Sequence, residues 1–197
     1  HEFHMLAFLP FLTLMTSYYY LEGKFLLFSL FLFFATVVRE DAVSVTVMFS
    51  VIAAIDAWRA GARGVRLKSL QERWYWILTP LMLGVYWYGV AVSVIQAHSL
   101  DQGYKFSIYY AWLGSSLREV FNNMVQYPLP VAAHYATAGN ITMIIGLLMP
   151  FLFLPLLRPK FLLLSVIPLL AITTTASGGG EIILNTHYAA FFLPGLI

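Results

Sequence analysis

The sequence predicts an all-α fold: a polytopic transmembrane bundle of about six to seven spans, with a short interfacial helix on its outer side. Three observations point there. Of 197 residues, 60% are hydrophobic and 10% are charged, whereas an ordinary soluble domain carries about 25% charged residues. The mean hydropathy is +0.79. The apolar residues also fall into long runs with no polar face, which only lipid or a protein interior can cover. In lipid, an open-ended segment satisfies its backbone hydrogen bonds only as a helix.

The elements follow in order. The first apolar run is Met5 to Tyr20, closed by Glu22-Gly23-Lys24. The second is Phe25 to Val38, ended by Arg39-Glu40-Asp41, and the third is Ala42 to Trp58. A basic loop, Arg59 to Arg73, leads to the fourth run, Trp74 to Ile95. A more polar stretch fills 96–130, and inside it Ser116-Leu117-Arg118-Glu119 fits a capping box, with Ser116 as N-cap and Glu119 reaching back. Leu117, Val120, Phe121, Met124 and Val125 recur at helical spacing, which predicts an amphipathic helix near 117–126, on the outer surface or tucked between spans. The fifth run is Val131 to Leu157, with kinks expected at Pro150 and Pro155. Arg158-Pro159-Lys160 turns the chain into the sixth run, Phe161 to Thr175, which Ser177-Gly178-Gly179-Gly180 breaks. A seventh starts near Ile182. The whole of 1–197 reads as one transmembrane domain truncated at both ends, because it starts on His1 and stops inside an apolar run too short to span.

Charge sets the expected orientation. Alternating crossings put Lys24, Arg59, Arg63, Arg66, Lys68, Arg73, Arg158 and Lys160 on one side, eight of the eleven Lys and Arg. That side is expected to be cytoplasmic in a multi-pass cell-membrane protein, with 59–73 inside and 96–130 outside. Trp58, Trp74, Tyr75, Trp76 and Tyr18 to Tyr20 then form an interfacial aromatic belt. The partner read from composition is the lipid bilayer. The basic residues form no aromatic-interleaved stripe, which argues against nucleic acid. There is no cysteine, so disulfides and thiolate metal sites are excluded.

The candidate functional residues gather on the outer side. Arg39-Glu40-Asp41 follows an apolar run of 14 residues, about 21 Å of helix against a hydrocarbon core of about 30 Å. Charges at that depth are costly and often functional; the plain alternative is a helix–helix turn with an internal ion pair and an Asp41 N-cap. His1 and His4 share a helical face, but metal ligation needs a further ligand. His187-Tyr188 follows Asn185 and Thr186, which suit a helix start, and a histidine there can hydrogen-bond a phosphate or a carboxylate. Tyr86-Trp87-Tyr88 is expected to pack in the core. Asp56 and Arg59 are spaced to form an ion pair. His98 and His134 read as loop or interface residues. Asn140-Ile141-Thr142 fits a glycosylation acceptor but lies in an apolar run.

Four elements in order carry a resemblance: His1-Glu2-Phe3-His4, Arg39-Glu40-Asp41-Ala42, Tyr110-Ala111-Trp112-Leu113-Gly114, and His187-Tyr188-Ala189-Ala190 ahead of Pro194. They resemble a prokaryotic family of predicted membrane proteins, catalogued as domain of unknown function two thousand and seventy-nine. That family is itself similar to the GT-C membrane glycosyltransferases, which take a sugar from a polyprenyl-phosphate donor on the outer face. If the chain is such an enzyme, Glu40 and Asp41 are its catalytic candidates, with no catalytic base carried over from the resemblance, and His4, Arg39, Arg118, His187 and Tyr188 its substrate-binding ones. Contacts to the donor phosphate, to a divalent metal or to the acceptor fall to Glu40, Asp41, His4 and His187, with no metal ligand assigned. The main catalytic acid of such enzymes is expected upstream of His1. The competing reading is a membrane transporter or a non-catalytic membrane subunit. Transport calls for polar groups near the midplane on broken helices, whereas here the sharpest ionisable cluster sits near an outer end.

Overall fold

The computed structural model describes residues 5–62, 70–98, 109–157, 159–179, 181–184, 189–190 and 192–196, and every regular element among them is helical. After a 3-10 turn at Met5–Phe8 come α1 (Leu9–Leu21), α2 (Phe25–Val37), α3 (Val43–Ala62) and α4 (Leu70–His98). Then follow α5 (Leu117–Gln126), α6 (Pro128–Tyr135), α7 (Ala138–Leu148), α8 (Pro159–Thr173), and two single-turn helices, α9 (Glu181–Leu184) and α10 (Leu193–Leu196).

The first four helices pair as two hairpins, α1 with α2 and α3 with α4. Gly23 makes the first reversal. It has φ +68 with nothing near its missing Cβ, so the backbone conformation is what selects glycine. The amides of Gly23 and Lys24 return to the carbonyls of Tyr20 and Tyr19, closing α1 as a Schellman motif. Gly84 sets the second pairing: a Cβ there would lie 2.7 Å from Cγ2 of Val47, so α4 can approach α3 only with a hydrogen at that position.

The core lies where α2, α3 and α8 meet. Phe28, Leu32, Val45, Phe49, Ile52 and Leu164 are all buried there, with Tyr20, Phe25 and Trp76 packed against them. The Phe28 ring lies 5.0 Å from Trp76 and 5.7 Å from both Tyr20 and Phe49. Tyr20 and Trp76 therefore belong to the interior, and of the expected aromatic belt Tyr18, Trp58 and Trp74 face outward. Buried threonines return their hydroxyls to the helix: Thr13 to Leu9, and Thr16 to Leu12 at 2.7 Å. Thr36 and Thr46 bond to each other at 2.9 Å and tie α2 to α3.

Three elements differ from the sequence expectation. Tyr86 and Tyr88 are exposed, because α4 uses only one narrow face against α3 and α2. The run from Val131 breaks at Ala136-Thr137, where its two halves bend by 52°. It breaks again at Leu152 and Phe153, both left-handed with φ 51 and 58, between Pro150 and Pro155. Beyond Ile182 the described residues form single helical turns, Glu181–Leu184 and Leu193–Leu196, the latter containing Pro194 and Gly195. There the Ser165 hydroxyl donates to the Phe192 carbonyl at 2.7 Å, seating the last segment against α8.

Among the described residues one helix, Trp74–His98, is long and apolar enough by itself to cross a membrane. The bent pair Pro128–Tyr135 and Ala138–Phe151 qualifies when taken as one span, and Phe25–Val37 and Pro159–Thr173 are apolar but shorter.

Candidate functional site

The charged turn after α2 is compact. Arg39 is extended, with φ −165 and ψ 155, and Glu40–Ala42 forms one 3-10 turn whose last amide, of Ala42, returns to the Arg39 carbonyl at 3.1 Å. Arg39 Nε lies 3.3 Å from Oδ1 of Asp41, with both side chains partly exposed. The Ser44 hydroxyl donates to the Asp41 carbonyl at 2.7 Å, fastening the turn to α3. Asp41 is thus engaged with Arg39, the internal ion pair expected of a helix–helix turn. The turn leaves Arg39 and Asp41 partly exposed and buries Ala42 completely, in a cluster with Leu9 and Ala35 that also takes in Leu12, Val38 and Ala190.

That cluster connects three separated parts of the chain. Leu9 follows His4 by five residues, Ala42 follows Asp41 directly, and Ala190 follows His187 by three. His4, His187 and Tyr188 themselves lie outside the described residues, as does the Glu40 side chain. Arg118 is exposed on α5. Among the described residues no three His, Asp or Glu side chains gather as a metal site would need.

A second polar assembly forms where α8 ends. The last carbonyls of a helix have no partner within it, and here other segments supply one. Tyr110 Oη donates to the Ala171 carbonyl at 2.8 Å. Trp112 Nε1 donates to Thr174, and His134 Nε2 to Thr175, each at 2.8 Å. Bonding to a carbonyl requires the His134 proton on Nε2. The His134 ring lies 4.4 Å from the Trp112 ring, and the Tyr135 and Thr174 hydroxyls bond at 2.8 Å. Asn140, fully buried, holds the break between α6 and α7. Its Nδ2 donates to the His134 carbonyl at 3.0 Å, and its Oδ1 accepts from the Gly179 amide at 2.5 Å. Tyr110 and Trp112, prominent as a sequence element, are therefore caps of α8. His134 and Asn140 belong to the same frame, a role that the loop or interface reading of His134 does not contain. Their signal was faint: a second His-Tyr pair, and an asparagine inside an apolar run.

A third polar group sits at the opposite end of α3. Asp56 Oδ2 accepts from Tyr20 Oη and from Lys160 Nζ, both at 2.7 Å. Lys160 also stands 5.4 Å from the Tyr20 ring centroid and 5.0 Å from that of Phe161. Arg59 is the partner expected for Asp56; the fold supplies Lys160 instead, because α8 packs against α3 and begins beside its end.

Helices this apolar, with charges confined to turns and helix ends, define an α-helical membrane protein. The chain belongs to the family described as predicted membrane protein DUF2079, whose family model matches residues 1–197. No curated protein and no solved structure matches it.

Proposed function

We propose that the chain is the membrane-embedded part of a multi-pass, GT-C-like enzyme that transfers a sugar from a polyprenyl-phosphate donor on the outer face. The single observation carrying the location of its site is the packing of Ala42 with Leu9 and Ala190. It brings Leu9, Ala42 and Ala190 to one end of the α1–α2 hairpin, which supports a site built from the sequence elements they adjoin. The choice of a sugar donor rests on the resemblance of the four sequence elements.

In this reading α1, α2, α3, α4, the α6–α7 pair and α8 each cross the bilayer. α3 has 20 residues, about 30 Å of helix. The acceptor hydroxyl oxygen attacks the anomeric carbon as the bond from that carbon to the donor phosphate breaks. A carboxylate takes the hydroxyl proton, and Glu40 and Asp41 are the candidates within this chain. Arg39, held beside Asp41, meets the charge left on the phosphate, with Arg118, His4, His187 and Tyr188 as further substrate contacts.

The test uses the full-length protein in membranes, given a labelled polyprenyl-phosphate sugar. Asp41→Asn and Glu40→Gln keep size and remove charge. At least one is expected to lose about tenfold or more in turnover, with an unchanged melting temperature. Wild-type turnover in both would sink the catalytic reading. Lower melting temperature with retained turnover would reduce the turn to a structural role, worth about 1 kcal/mol.

A further inference from the structure

The fold uses only part of the apolar arc on α5. Val120 points inward, buried with Leu113 and Val131, and Met124 packs against that cluster. At 100° per residue, Phe121 and Val125 lie next to that face, rotated away from the core. Phe121 is 69% exposed and Val125 65% exposed. Just beyond, Tyr127 is exposed and Leu129 is 81% exposed. Arg118 lies beside Val125 on the same helical projection and is also exposed. The remaining surface carries Glu119, Asn122, Asn123 and Gln126. Two of those are occupied elsewhere: Glu119 accepts from the Ser115 amide and hydroxyl, each at 2.9 Å, and Asn123 Nδ2 donates to the Leu113 carbonyl at 2.6 Å. The polar arc is anchored to the protein, while the outer apolar row is left without cover among the described residues.

The placement of α5 names the occupant. Tyr127 both ends α5 and begins α6, and α6 with α7 is the bent apolar pair long enough to span. Phe121 and Val125, at the end of α5, and Leu129, at the start of α6, therefore lie where the candidate span begins. An apolar row bordered by an arginine and a tyrosine fits the boundary between acyl chains and phosphate headgroups. We infer that α5 is a lipid-docking helix: Phe121, Val125 and Leu129 enter the bilayer boundary, and Arg118 meets lipid phosphate. This goes beyond the proposed sugar transfer and stands without it.

The absence of cysteine in these 197 residues makes the test direct. Single cysteines replace Phe121, Val125, Asn122 or Gln126 in the full-length protein, each the sole cysteine of its variant. Each carries an environment-sensitive fluorophore in phosphatidylcholine–phosphatidylglycerol nanodiscs. Probes at 121 and 125 are expected to emit in the blue, and to be quenched by lipids spin-labelled near the headgroup, as a depth of about 5–10 Å requires. Probes at 122 and 126 are expected to emit as in water, unquenched. Water-like emission at 121 and 125 overturns the inference. So does blue emission that lipid quenchers leave untouched, since that assigns the row to a protein partner. Preserved melting temperature in each labelled variant confirms that α5 is still folded when the probes are read.

Discussion

Asp56 illustrates how much one side chain organises when its partners come from distant parts of the chain. Its Oδ2 gathers Tyr20 from α1 and Lys160 from the start of α8. Both ionic side chains are about three-quarters covered, so the pair is worth more than an exposed salt bridge. Asp56→Ala removes an acceptor from two donors at once and is expected to cost about 1.5–3 kcal/mol. The aromatic rings of Tyr20 and Phe161 near Lys160 soften that loss. Asp56→Asn keeps an acceptor for Tyr20 and is expected to cost less. Thermal unfolding in detergent measures both, and equal midpoints for wild type and Asp56→Ala would refute the role. Lys160 lies 104 positions from Asp56, so no local spacing rule finds the pair, whereas Arg59 sits at an inviting helical interval. The Arg39–Asp41 ion pair is different: two positions apart in a tight turn, it was legible from the residues alone.

At the scale of the element, α5 shows local chemistry reading through. Ser116 caps it, its hydroxyl accepting from the Glu119 amide at 3.3 Å. The Glu119 carboxylate reaches one residue further back than a capping box does, to Ser115. Gly114 allows this. It has φ +151, and a Cβ on it would stand 2.6 Å from the Glu119 Cβ. Gly114→Ala is expected to cost about 1–3 kcal/mol and to open the Ser115–Glu119 contact. The Ser115 bonds hold the Glu119 carboxyl below its ordinary value of 4.5. A carboxyl lowered by folding stabilises above its unfolded value and loses that contribution as pH falls through the lowered one. Exchange of the Ser115 amide is therefore expected to accelerate, beyond the intrinsic pH effect, on acidification below about 4.5. Glu119→Gln should abolish that excess. An identical pH profile in the two proteins would remove the carboxylate from the cap.

For the whole molecule, composition made the helical membrane class plain, and the turns at Gly23 and Arg39–Ala42 lie where charged breaks interrupt the apolar runs. The broken parts were less legible. The bend at Ala136-Thr137 depends on Asn140 bridging the His134 carbonyl and the Gly179 amide, a contact between segments 39 positions apart. The last segment depends on the Ser165 hydroxyl of α8 donating to the Phe192 carbonyl. As for the candidate site, the grouping through Ala42 and Ala190 uses two small residues whose value appears only on packing. The orientation is open to a direct measurement. We predict that Ser69→Cys is shielded from an impermeant thiol reagent on intact cells, while Ser107→Cys is labelled. The opposite pattern would invert the proposed topology, moving the Arg39–Asp41 turn to the cytoplasm.

The short second helix carries a consequence for the surrounding lipid. α2 has 13 residues, about 20 Å along its axis, and α8 has 15, about 22 Å, beside an average hydrocarbon thickness of about 30 Å. If both cross the bilayer as proposed, their shared core with α3 keeps each from tilting freely, and the membrane conforms to them instead. On the topology proposed above, the bilayer thins around this part of the protein, drawing the headgroup plane inward toward Arg39 and Asp41. A long-chain lipid phosphate then meets those charges by lateral diffusion alone, with no need to leave its leaflet, and a thicker membrane penalises the same encounter through its elastic resistance to being pinched.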